Sequence, residues 1–167
     1  MNQDIKEYNI LLLSYTGAGK TCIINRFVRG DFHGTIATMG VDNFVKDVKL
    51  SHGKTIRMMI VDNGGHEFQR CIVSNYYKRA DGIILIYDIT SKGEFKVVDY
   101  YLNDLRESKI NAIPISLVGN KMDKEEKREI TFEEGEKFAK EHGFMFCECS
   151  AKTGENIDFI FNKLLSY

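Results

Sequence analysis

Lys20 and Thr21 close the run Ser14-Tyr15-Thr16-Gly17-Ala18-Gly19, which lies between an apolar segment and the helical-looking Cys22-Ile-Ile-Asn-Arg-Phe27. A strand, a glycine-rich turn and a helix opening on Lys-Thr gather backbone N–H groups and the positive end of a helix around an anion. The chemistry is phosphate binding, with Lys20 reaching the β- and γ-phosphates and the Thr21 hydroxyl on Mg²⁺. The pattern GxxxxGKS/T lacks its first glycine, where Ser14 stands. A residue with negative φ can still make that turn. Taken alone, the segment also reads as an ordinary glycine-rich turn.

Two further groups of residues fit a nucleotide. Val61-Asp62-Asn63-Gly64-Gly65 ends an apolar run. An Asp at the carboxyl end of a parallel strand sits where open α/β sheets bind ligands, so Asp62 is a candidate for Mg²⁺ and the Gly65 N–H for a terminal phosphate. By itself Asp62 reads equally well as a cap or turn residue. Asn120-Lys121-Met122-Asp123 and Ser150-Ala151-Lys152 follow two later apolar runs. A carboxylate that accepts two N–H bonds from one purine edge selects guanine, because adenine lacks the 2-amino donor. Asp123 is that carboxylate. Asn120 and the stem of Lys121 brace base and loop, and the Ala151 N–H serves guanine O6.

To bring these segments together the chain needs strands joined by crossover helices. Apolar runs alternate with segments of helical period, the pattern of an α/β fold around a mostly parallel sheet. The spacing predicts strands at Tyr8 to Leu13, Val41 to Leu50, Thr55 to Val61, Gly82 to Tyr87, Ile115 to Val118 and Phe144 to Cys147. The second and third flank Ser51-His52-Gly53-Lys54, a polar turn suited to an antiparallel hairpin. Ile10-Leu11-Leu12-Leu13 and Ile83-Ile84-Leu85-Ile86 lack polar alternation, as central strands covered on both faces do. Ser91-Lys-Gly-Glu94 and Thr131-Phe-Glu-Glu134 spell capping boxes, and Gly143 stands where a C-cap glycine belongs. The mixed-charge run Lys124 to Glu129 reads as a solvated loop without a function.

Length and composition agree with one domain from residue 1 to 167, at 43% hydrophobic and 28% charged residues with a single proline. A net charge of −1 gives no reason to expect nucleic acid as a partner. Four cysteines are too few for a disulfide scaffold and point to a reducing compartment. No apolar run is long enough to span a membrane, and no signal peptide can be read at MNQDIKEYN.

These motifs resemble the Ras-like small GTPases, and the Rab branch in particular. Thr38-Met-Gly-Val-Asp42, Tyr76-Tyr-Lys-Arg-Ala-Asp-Gly-Ile-Ile-Leu-Ile-Tyr-Asp88, Val118-Gly-Asn-Lys-Met-Asp123 and Cys149-Ser-Ala-Lys-Thr-Gly-Glu-Asn156 carry the resemblance over essentially the whole chain. It implies a three-layer G domain, with six strands and five helices, that binds GTP or GDP with Mg²⁺. Its switch regions lie around Thr38 and after Asp62. Carried over by position, the nucleotide contacts are Thr16, Gly17, Ala18, Gly19, Lys20, Thr21, Cys22, Phe32, Thr38, Gly65, Asn120, Lys121, Asp123, Ser150, Ala151 and Lys152. Thr21, Thr38 and Asp62 would hold Mg²⁺, and His66, Gly65 and Lys20 would serve hydrolysis. The implied protein is a monomer that works in vesicle traffic through an exchange factor, an activating protein and effectors at its switches.

Several residues depart from that family. His66 takes the place of the glutamine that orients the attacking water, and a rigid imidazole carries its donor and acceptor on opposite sides. Slow GTP hydrolysis is expected. Gly64 replaces the usual alanine, and Thr16 places a β-branched side chain in the phosphate loop. Switch I is one residue short before Thr38 and lacks the tyrosine expected to close over the phosphates. Rab partners read an aromatic triad of which only Tyr76 remains, since Asn43 and Val61 fill the other positions. Phe44 could substitute only through a register slip. The order Phe68-Gln69 is also reversed in switch II. NKLLSY carries no prenylation cysteine. The chain as it stands is expected in the cytoplasm, and on endomembranes only if a longer natural chain carries a lipidated tail. A second reading is a pseudo-GTPase that holds guanine nucleotide without cycling. A third, an adenine-nucleotide enzyme, rests on the phosphate loop alone and is opposed by Asp123.

Overall fold

The computed structural model describes residues 5–34, 40–50, 52–64, 75–108, 110 and 112–165. In chain order the elements are β1 (Lys6–Ser14), α1 (Lys20–Arg29), β2 (Val41–Lys49), β3 (Thr55–Asn63), β4 (Gly82–Asp88), α2 (Lys92–Glu107), β5 (Ile115–Asn120), α3 (Phe132–His142), β6 (Met145–Glu148) and α4 (Ile157–Leu164). The six strands form one sheet in the order β2-β3-β1-β4-β5-β6. β2 pairs antiparallel with β3, and every other pairing is parallel. The α/β expectation therefore holds. Four of the five implied helices lie among the described residues, and most of the connection from β3 to β4 lies outside them.

Alternation along the strands explains why the central runs are apolar throughout. Ile10 and Leu12 face the α1 and α4 side, where they pack with Ile23, Ile24, Phe27 and Phe161. Leu11 and Leu13 face the α2 and α3 side, with Val98, Tyr101, Leu105 and Ala139. Side chains two apart share a face, so a strand covered on both sides needs an apolar residue at every position. The Phe27 and Phe161 rings stack at 3.9 Å and join α1 to α4. No described helix is long and apolar enough to cross a membrane.

Local signals fared unequally. Thr131 makes the full capping box, accepting from the Glu134 N–H at 3.1 Å while Glu134 accepts from the Thr131 N–H at 2.8 Å. Gly143 ends that helix at φ 70°, its N–H on the Ala139 and Lys140 carbonyls. Ser91, the other predicted capping box, makes no side-chain cap bond. There Glu129, from a distant loop, accepts the Lys92 N–H at 2.9 Å and takes over the cap. The reading of Lys124 to Glu129 as a solvated loop also needs correction. Met122–Lys127 is a 3-10 turn, and Arg128 grips the buried Glu148 through two 2.7 Å bonds.

Gly135 sits inside α3, where a Cβ would collide with the Tyr87 hydroxyl and lie 2.7 Å from the Phe146 ring. Gly135→Ala should lower stability by about 1–3 kcal/mol, as overpacking does, and appear as a lower thermal midpoint. An unchanged midpoint would mean that Tyr87 can swing aside at no cost.

Candidate functional site

The carboxyl ends of β1, β3, β5 and β6 open onto one cleft of about 400 Å³. At one end lies the phosphate loop. Gly17 and Gly19 take φ values of 93° and 98°, which side chains disfavour, and a Cβ on Gly19 would collide with the Asn120 amide. α1 starts at Lys20 with no acidic residue in its first turn, so nothing within the helix neutralises its positive end. Ser14 makes the turn without a positive φ. Its hydroxyl accepts from Lys20 Nζ at 2.9 Å and donates to the Tyr15 carbonyl at 2.7 Å. Tyr101 on α2 fixes the Ser14 carbonyl at 3.1 Å. Burial pushes Lys20 down to about 8, with Asp62 opposing it.

Asp62 is fully buried and accepts from the Thr21 hydroxyl at 2.5 Å. A hydroxyl and a carboxylate side by side are hard oxygen donors, a set that fits Mg²⁺ when phosphate and water complete the shell. Among the described residues no group of three His, Cys, Asp or Glu side chains could hold a metal alone. Asn63, not singled out from the sequence, also lines the cleft, and its Oδ1 is buried with no hydrogen-bond partner among the described residues. Thr16 Oγ1 lies 3.4 Å from the Gly64 carbonyl, and the Gly64 N–H donates to the Gly40 carbonyl at 3.0 Å. The expected residues Thr38, Gly65 and His66 lie outside the described residues, as do Phe68 and Gln69.

The opposite end of the cleft is lined by Phe32, Asn120, Lys121, Asp123, Ala151 and Lys152. Asn120 is buried and ties two loops together, donating from Nδ2 to the Ala18 carbonyl at 2.8 Å and accepting the Ala151 N–H at 3.2 Å. The Ala151 N–H expected to meet a purine carbonyl is thus already shared with Asn120. Lys121 takes a left-handed φ of 71° and extends to Asp88 at 2.6 Å. Burial raises the Asp88 carboxyl, but hydrogen bonds from Lys121 and Thr90 outweigh it and hold the group below its ordinary value. Asp123 Oδ1 accepts from the Ser150 hydroxyl at 2.6 Å, and Ser150 Oγ accepts the Thr153 N–H at 3.0 Å. Cys22 also lines the cleft, and Phe32 keeps 39% of its surface exposed.

Beside the cleft, register settles the triad positions. Asn43 stands opposite Val61, and Phe44 opposite Ile60. Phe44 packs into the cluster on the α1 and α4 side, so the register has not slipped to present it beside Tyr76.

The family model described as "Ras family" matches residues 9–167. The chain is 39% identical to "Ras-related protein Rab-13" of Mesocricetus auratus over 158 residues, which are 94% of this chain and 77% of that protein. It is 38% identical to "Ras-related protein Rab-15" of Homo sapiens over 158 residues, 94% of this chain and 74% of that one.

Proposed function

The chain belongs to the Ras family, as a divergent Rab-type member, and from that premise we propose a guanine-nucleotide switch that binds GTP and GDP with Mg²⁺, hydrolyses GTP slowly and serves vesicle traffic. GTP binding and GTPase activity are general properties of the family. The finer assignments rest on one observation: the phosphate loop, the Thr21–Asp62 pair and the Asp123–Ser150 pair all border a single cleft. Lys20 and the positive end of α1 take the phosphates. Thr21 and Asp62, with Thr38, hold Mg²⁺, which when bound neutralises charge on the phosphate oxygens. Asp123 accepts from the guanine edge, and Phe32 and the Lys121 stem flank the base. Regulators and effectors would meet the protein, a monomeric single domain, at its switch regions.

Hydrolysis is where the chain departs from its relatives' chemistry. A loose phosphoryl-transfer transition state needs a water held in line more than a proton removed. His66 offers donor and acceptor on opposite ring edges, so it positions that water poorly. In single-turnover assays on GTP-loaded protein, His66→Gln should raise the rate at least about tenfold. A lower rate would show His66 acting as a base instead.

The pseudo-GTPase reading draws on His66, on Asn43 in place of an aromatic, and on the Thr16 contact with Gly64, which brings a β-branched side chain against the start of the second switch segment. Chromatography of bound nucleotide separates the two readings. Steady conversion of GTP to GDP supports the cycling switch, whereas GTP that persists, with switch amides exchanging alike in both nucleotide states, supports the fixed-nucleotide protein.

A further inference from the structure

Arg26 stands outside the nucleotide-binding motifs, on α1, and is not among the described residues that line the cleft. Its guanidinium spreads over three backbone carbonyls from two segments. Nε donates to the Ala151 carbonyl at 2.9 Å, one terminal nitrogen to the Lys152 carbonyl at 2.6 Å, and the other to the Gly30 carbonyl at 2.9 Å. The first two carbonyls belong to the loop that follows β6. The third belongs to the left-handed cap that ends α1, two residues before Phe32. The loop lines the base end of the cleft through Ala151 and Lys152, and the cap leads into Phe32, which lines it too.

The loop has its own link to the base reader. Ser150 precedes the two clamped carbonyls and donates its hydroxyl to Asp123 at 2.6 Å. The Gly154 N–H returns to the Ser150 carbonyl at 2.8 Å and closes the loop into a compact turn. Asn120 holds the N–H side of Ala151 while Arg26 holds its carbonyl side. The two peptide groups that flank Ala151 are therefore each held, by Asn120, which also bonds the phosphate loop, and by Arg26 of α1. The planar fork reaches these separate carbonyls from three different nitrogens, whereas the three donors of a lysine ammonium radiate from a single atom on a flexible stem.

We propose that Arg26 is a positioning residue for guanine recognition: it anchors the Ser150–Lys152 loop and the Gly30 cap together, and so sets the placement of Asp123 and the approach of Phe32. The inference rests on the reading of the cleft as a guanine-nucleotide site. Arg26 touches neither base nor phosphate in this account and acts through the two walls it holds. Loss of the fork should weaken the grip on the base and leave the phosphate grip of residues 16–21 intact.

The test uses Arg26→Met, which keeps the apolar stem, and Arg26→Lys, which keeps the charge. Dissociation of a fluorescent GDP analogue is timed, and affinities are measured for GDP, GTP and inosine diphosphate, whose base lacks the 2-amino group that Asp123 accepts. Arg26→Met should speed GDP release about tenfold, the effect of charge-assisted bonds on this scale. Its preference for GDP over inosine diphosphate should shrink severalfold, while the ratio of GTP to GDP affinity stays at the wild-type value. Arg26→Lys should fall between, and carries the test if the Met variant does not fold. Faster release with base preference intact would overturn the proposal, because it would make Arg26 a general support of α1. Release and preference both at wild-type values would overturn it as well. A wild-type protein that takes up no guanine nucleotide would instead bring down the reading on which the proposal rests.

Discussion

Asp123→Asn should leave the protein with about 10⁴-fold weaker GDP binding and a new preference for xanthosine diphosphate. A site built to accept two N–H groups from a base rejects a ligand that leaves its buried polar groups unmatched by about that factor. On the proposed reading the carboxylate would accept from both the ring N–H and the 2-amino group of guanine, whereas an amide would turn an N–H of its own toward one of them. Xanthine carries a carbonyl where guanine has the amine, and accepts that N–H. The fold should tolerate the change. Asn keeps a carbonyl oxygen for the Ser150 hydroxyl, which now donates to Asp123 at 2.6 Å. Equilibrium titration with both diphosphates decides the matter. GDP affinity within a few-fold of wild type would mean that Asp123 does not read the base, and would reopen the adenine-nucleotide reading.

Lys20→Met should cost about 10³-fold in GDP affinity and more for GTP. Lys20 is a buried ammonium at 6% exposure, and Ser14, which accepts from it at 2.9 Å, is neutral. Burial pulls its pKa to about 8 against the opposing charge of Asp62, because the pocket solvates the ammonium poorly. A phosphate meets that need with charge-assisted bonds of roughly 1.5–3 kcal/mol each, and two of them account for the expected loss. Met has a similar stem length and no charge, so thermal unfolding of the variant should remain cooperative. The GTP-to-GDP affinity ratio is the informative number, because Lys20 is assigned to both the β- and γ-phosphates. A uniform loss for the two would place it on the β-phosphate alone.

The strands were legible because burial on both faces writes itself as an unbroken apolar run. Ile10 to Leu13 and Ile83 to Ile86 fall inside β1 and β4, at the centre of the sheet. Thr131 was legible as a cap because its partner lies three residues away, whereas Ser91 failed because the competing acceptor, Glu129, comes from across the fold. The same distinction divides the site. Lys20, Thr21 and Asp123 sit in short motifs whose spacing survives in one dimension. Arg26 sits on a helix with the spelling of any solvated arginine, and its three acceptors lie as far as 126 residues along the chain. Asn63 was passed over beside Asp62 because the burial of one amide oxygen has no sequence signature. Arg128 was hidden in a run whose other charges, Lys124 to Lys127, are indeed exposed.

The sheet order also bears on how the protein is made. β6 joins the sheet last, at the edge, through β5 alone, and α4 then seats Phe161 against Phe27. Synthesis therefore delivers Lys20 early, and Ser150, which holds Asp123, some 130 residues later. On the proposed reading, the polar groups assigned to the base are synthesised after those assigned to the phosphates, and the last strand, β6, carries the loop that completes the cleft.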